Sequence, residues 1–140
     1  MTAPLPSHRD EAWHYADLDA LAAARALPAA AAATVTRIMR DGERAELPLI
    51  MDGGRHRTER DLVVPDGTRA ILVEPLSGAG FADVEERIRI GAGASLAHVI
   101  VQDTDDDAVV AASIHATLDA GARYDGFVLN IGGRYSRIAL

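Results

Sequence analysis

Ile88-Arg89-Ile90-Gly91-Ala92-Gly93-Ala94-Ser95-Leu96 decides how this chain folds. Apolar side chains alternating about Arg89 read as a short strand, Gly91-Ala92-Gly93-Ala94 as a corner of small residues, and residues 95–101 as the next strand. The same phrase returns as Ala116-Thr117-Leu118, Asp119-Ala120-Gly121-Ala122 and residues 123–130. A weaker, earlier copy is Leu62-Val63-Val64, Pro65-Asp66-Gly67 and residues 68–74. Gly67, Gly93 and Gly121 are spaced 26 and 28 residues apart. Units repeating at this near-constant spacing, with no helical pattern between them, predict a stacked array.

The expected fold is therefore mainly β: a parallel β-helix, or β-solenoid, in which each coil lays its strands beside those of the next. Ile88, Ile90, Leu96 and Leu118 are expected to stack inward into one core, with the three glycines in register at one corner. One coil alone buries too little apolar surface to stand.

Composition narrows the function. A chain of 140 residues accommodates one domain with an appendage. Net charge is -7 and all 14 basic residues are Arg, which argues against nonspecific nucleic-acid binding because that requires a positive field. A soluble protein partner suits the acidic surface better. Without any Cys, disulfides, thiolate zinc sites and a cluster held by the chain's own thiolates are excluded. The first residues lack a basic segment followed by an apolar run, and no stretch approaches the roughly 20 apolar residues of a membrane helix. The expected compartment is the cytoplasm.

Toward the N-terminus, Ser7 with Asp10 three residues on reads as a helix cap, and Trp13 falls on the helix that follows. Asp17 caps a second run, residues 18–27, stopped by Pro28. Trp13, Leu18 and Leu21 are expected to pack on a neighbour. The alanines at 29–33 read as a helix end or linker, so residues 1–33 form a helical segment and residues 34–140 the β-helix domain. Residues 34–40, the Asp41-Gly42 turn and residues 44–51 resemble a hairpin, with Pro48 at an edge or bulge. Residues 75–83, with Gly78 and Gly80, and the acidic run 103–107 read as loops outside the core.

Candidate chemistry is sparse. Asp103, Asp105 and Asp107 match the first, third and fifth places of an EF-hand loop, but Ala108 stands where the turn needs Gly and Ile114 where a bidentate Glu is needed. His98 and His115 lie in strands of successive repeats and are candidates to meet as metal ligands or proton carriers, yet no carboxylate at convincing ligand spacing accompanies them. Residues 90–94 also admit a hexapeptide-repeat reading, that of left-handed β-helix acyltransferases with a His as general base. The nearly unbroken apolar strand 96–101 departs from a six-residue repeat. Without Lys there is no P-loop, Gly91-Ala92-Gly93 opens no helix, and no Ser sits in a nucleophile elbow. No residue is assigned a catalytic, cofactor-binding or metal-binding role.

Arg9-Asp10-Glu11-Ala12-Trp13-His14-Tyr15-Ala16-Asp17-Leu18 resembles the N-terminal phrase of the SufD branch of the SufB/SufD family of iron–sulfur cluster assembly proteins, with His14 and Ala16 in place of Arg and Thr. Residues 88–96, Val101-Gln102-Asp103 and Gly132-Gly133-Arg134-Tyr135-Ser136-Arg137 are similar to the β-helical core of that family. The resemblance covers both ends of the chain well and residues 34–82 loosely. It implies a right-handed parallel β-helix and a non-enzymatic scaffold subunit that pairs with a SufB-like paralogue and a SufC-like ATPase, the cluster being handled by the complex and no cofactor being bound by this chain alone. Edge strands with unpaired backbone groups would supply the pairing surface. Members of the family continue through further coils into a helical region, so the chain is expected to be a fragment. A stand-alone β-solenoid interaction module is the remaining alternative to the acyltransferase.

Overall fold

The computed structural model describes residues 17–140. The element order is α1 (Leu18–Arg25), β1 (Ala29–Ile38), β2 (Arg44–Glu46), β3 (Leu49–Val64), β4 (Arg69–Ile90), β5 (Ser95–Thr104), β6 (Val109–Leu118), β7 (Arg123–Gly132) and β8 (Tyr135–Ala139). Every strand pairing is parallel, and the strands wind into a β-solenoid of about four turns. Leu62 pairs with Ile88 and Arg69 with Ser95, while Phe81 pairs with Val109 and Ser95 with Arg123, so successive coils are offset by 26 to 28 residues. Four coils, 44–64, 69–90, 95–118 and 123–139, follow the first half-turn made by β1.

Each coil has two walls. The first wall stacks β2, the N-terminal half of β4, β5 and β7; the second stacks β1, the C-terminal half of β3, the C-terminal half of β4, β6 and β8. The walls meet at two kinds of corner. At one, Gly67, Gly93 and Gly121 have φ of 69, 65 and 69°, the left-handed region that glycine enters without a Cβ penalty. Their rungs are tied directly, Gly67 N–H donating to the Ala92 carbonyl at 2.9 Å and Gly93 N–H to the Ala120 carbonyl at 3.0 Å. The expected register of these glycines holds, and Gly42 adds a fourth rung by donating to the Arg69 carbonyl at 2.8 Å.

The core is the space between the walls. Met39, Leu62, Val64, Leu72, Leu76, Ile88, Ile90, Leu96, Ile100, Val110 and Ile114 point into it and are nearly fully buried. Burying such a side chain contributes about 1.5–3 kcal/mol, and the alternation of buried and exposed residues along β4 and β5 is the period-two pattern of a strand with one face inside. Leu118 differs from expectation: it is 44% exposed, β8 pairing only with residues 109–113 of β6 and leaving the end of that strand open.

Several local readings are corrected by the pairing. Ala29–Ala33 is the start of β1, paired with β3, and not a linker; a run of alanines is a poor strand by propensity, but the β3 template supplies the backbone partners. Residues 34–51 form no hairpin. Asp41-Gly42 is a solenoid corner, and its flanking strands pair with the next coil instead of each other. Residues 75–83 are no loop either: β4 runs through them, bending where Gly78 and Gly80 have φ of 91 and 125°. A Cβ on Gly78 would lie 2.1 Å from the Met51 carbonyl oxygen, so this corner admits only glycine. In the acidic run, Asp103 and Thr104 are the last residues of β5 and the turn begins only at Asp105.

Asp17 caps α1, its carboxylate accepting the Ala20 N–H at 2.9 Å. Leu21, with Ala20 and Ala24, packs against Phe81 and Val109 on the outside of the second wall, Leu18 joining at the margin. The Ser7 cap and Trp13 lie outside the described residues. Among the described residues no helix is long and apolar enough to cross a membrane.

Candidate functional site

The core is not wholly apolar. Glu74 and Glu86 both belong to β4 and face each other across the interior because the strand folds back at Gly78 and Gly80. Arg60 stands beside Glu86 on the preceding rung of the second wall. His98 is on the following rung of the first wall, opposite Leu72 and one inward position from Glu74. All four are at most 3% exposed. Tyr124, one coil further on, closes the group, its hydroxyl 2.8 Å from His98 Nδ1.

The geometry has a clear division. Arg60 Nη1 lies 2.7 Å from Glu74 Oε2 and 3.3 Å from Glu86 Oε1, so one guanidinium takes one oxygen from each carboxyl group. Arg60 Nη2 donates to the Leu47 carbonyl at 3.2 Å. The other carboxyl oxygens turn toward the imidazole: His98 Nε2 is 3.1 Å from Glu74 Oε1 and 3.6 Å from Glu86 Oε2. These approaches are off the hydrogen-bonding directions. Glu74 Oε1, Glu86 Oε2 and His98 Nε2 are all buried without a hydrogen-bond partner, a condition that costs about 1–3 kcal/mol for each such group.

Charge states follow from this environment. Burial, reinforced by the neighbouring Glu74 carboxyl group, pushes Glu86 up to about 8, against the opposing pull of His98 and Arg60. Burial, with the charge of Arg60, holds His98 below its ordinary value, Glu86 opposing. Burial and the two carboxyl groups push Tyr124 up to about 12. Near neutrality the site thus contains a protonated Glu86 and neutral His98 and Tyr124.

His98 and His115 do not meet. His98 is inside the solenoid, whereas His115 pairs with Arg87 on the exposed side of the second wall, at a shallow depression bordered by Asp61, Arg89 and Asp119. In the acidic run, residues 105–107 form an exposed turn, and the one group of metal-capable side chains among the described residues is Glu74, Glu86 and His98. Spacing along the chain does not single out these carboxylates. Strand parity was the available signal: Ile88 and Ile90 put Glu86 inward, and Leu96 and Ile100 do the same for His98.

The two outer faces contrast. On the second wall, Arg57 reaches Asp83 at 2.8 Å and Glu85 at 2.9 Å, and Arg87 reaches Asp61 at 2.7 Å, forming a charged ladder. On the first wall two neighbouring outward rows are apolar: Val73, Val99 and Phe127 align across three coils, as do Pro75, Val101 and Leu129. Ile71, Phe127 and Leu129 are 42, 60 and 54% exposed. Compared with known protein families, curated proteins and solved structures, the chain has no match in any of the three.

Proposed function

We propose that this chain is a non-catalytic scaffold subunit of the SufB/SufD type, working in the cytoplasm with a SufB-like solenoid and a SufC-like ATPase in iron–sulfur cluster assembly. The observation that carries the scaffold reading is the apolar outer face of the first wall, where Val73, Val99, Phe127, Pro75, Val101 and Leu129 stand in straight rows. Contiguous apolar area of this kind marks a protein-binding surface. Rows at the inter-strand spacing of about 4.8 Å fit best against another sheet with the same spacing. The charged ladder of the opposite wall has no such need of cover. Support for the specific family comes from the phrase at residues 9–18 and from the coil and corner residues of the β-helical core.

The test is co-expression with a SufB-type protein and a SufC-type ATPase, followed by size-exclusion chromatography. A stoichiometric complex is expected, and Phe127→Asp with Leu129→Asp should abolish it while leaving the β circular dichroism of the chain intact. Failure of the unaltered chain to associate with either partner at micromolar concentration would overturn the reading.

A further inference from the structure

We propose that Glu74 Oε1, Glu86 Oε2 and His98 Nε2 are the ligand atoms of a binding site for one divalent first-row transition-metal ion inside the solenoid. The proposal is independent of the scaffold reading. Three buried polar atoms without hydrogen-bond partners converge within 4.8 Å of one another. Each would be unfavourable alone, and a cation between them satisfies all three at once. The separations from His98 Nε2, 3.1 and 3.6 Å, bracket the roughly 3.4 Å between tetrahedral ligands held about 2.0–2.2 Å from a metal.

The donor set selects the class of ion. One imidazole nitrogen and two carboxylate oxygens suit zinc, iron(II), cobalt(II) or manganese(II). Calcium is disfavoured because it takes six to eight oxygen ligands, and copper(I) because it prefers sulfur. The surroundings resemble a second coordination layer. Tyr124 holds His98 Nδ1 at 2.8 Å, which directs Nε2 at the carboxyl groups. Arg60 occupies Glu74 Oε2 and Glu86 Oε1, leaving just the opposite oxygen of each free.

The proton balance is simple. Near neutrality Glu86 carries a proton, the ion takes its place on the carboxylate, and the proton leaves to solvent; no other bond changes. His98 is already neutral, as a ligand must be.

Cobalt(II) alone is the probe. The whole chain is stripped with EDTA, given Co(II) and desalted. One retained equivalent is expected, with paramagnetic broadening centred on the methyl groups of Leu72, Ile88 and Ile100, which flank the three ligands. Glu86→Gln and His98→Gln should each weaken retention at least about tenfold, while Asp105→Asn in the exposed turn leaves it unchanged. Retention below about a tenth of an equivalent, or broadening centred anywhere else, overturns the proposal. Both readouts use the unaltered chain, so they stand even where a variant fails to fold.

Discussion

Replacing Glu86 by Gln should remove a specific piece of the pH dependence of stability. The carboxyl group is ordinarily near 4.5 and is raised to about 8 in the fold, so the folded state binds the proton more tightly than the unfolded state. Its contribution is fully present below about pH 4.5 and is lost as pH rises through about 8. His98 runs the other way: its value is lowered from 6.5, so its contribution is present above pH 6.5 and lost as pH falls through its folded value. Between pH 6.5 and 8 only the Glu86 contribution changes. Over that interval of 1.5 units, at about 1.4 kcal/mol per unit, the unaltered chain should lose about 2 kcal/mol relative to Glu86→Gln. The groups facing Glu86 are Arg60, Glu74, His98 and Tyr124, all retained in the variant. Urea denaturation of both proteins in EDTA, at half-unit steps across this window, measures the difference. Parallel stability profiles would refute the reasoning, since Glu86 would then titrate alike in both states.

Two further substitutions separate the forces in the core and at the corners. Arg60→Met should destabilise by about 3–5 kcal/mol, because it leaves two buried carboxyl groups without their cation, and adding Glu74→Gln should recover part of the loss in a double-mutant cycle read by denaturation. Gly67→Ala should cost about 1–2 kcal/mol, since φ is 69° with nothing within 4 Å of the added Cβ, whereas Gly78→Ala, which meets the Met51 carbonyl oxygen at 2.1 Å, should leave no cooperative unfolding transition.

How legible the molecule was depends on which signal each segment carried. Gly67, Gly93 and Gly121 were readable because a positive-φ corner admits little besides glycine, and a solenoid repeats that demand once per coil. Asp41-Gly42 presents the same local chemistry. It read as a hairpin turn because a turn sequence specifies the bend and not the partner; whether flanking strands pair with each other or with the next coil is settled by the stack. The alanines of β1 carry no periodic signal at all, and their strand state comes from β3 alone. Gly78 and Gly80 were misread because two glycines near Pro75 and Ser77 suggest a loop, although β4 bends there without leaving the ladder. That misreading hid the site. A loop at residues 75–83 breaks the count of alternate positions, and only a continuous β4 makes Glu74 and Glu86 inward residues of one strand.

The buried cluster also bears on why the stack adopts one register. A two-residue slip between parallel rungs keeps every inward position inward, so alternation alone does not forbid it. Among Leu62, Leu72, Ile88 and Leu96 such a slip exchanges one aliphatic contact for another, at a cost of about 1–2 kcal/mol per site. The polar residues discriminate far more. Arg60 comes from the coil 44–64, Glu74 and Glu86 from 69–90, His98 from 95–118 and Tyr124 from 123–139, so the group draws on four successive coils. Shifting β3 against β4 by two residues would put Thr58 or Leu62 beside Glu86 where Arg60 now stands. Shifting β5 or β7 likewise separates His98 from Glu74, or Tyr124 from His98. Each displaced pair leaves a buried polar group unmatched, and for Glu74 beside Glu86 without Arg60 the penalty is several kcal/mol. That exceeds the aliphatic differences, so the register of this solenoid is set by its few charged interior residues, while its far more numerous apolar ones supply the stability that the register then makes available.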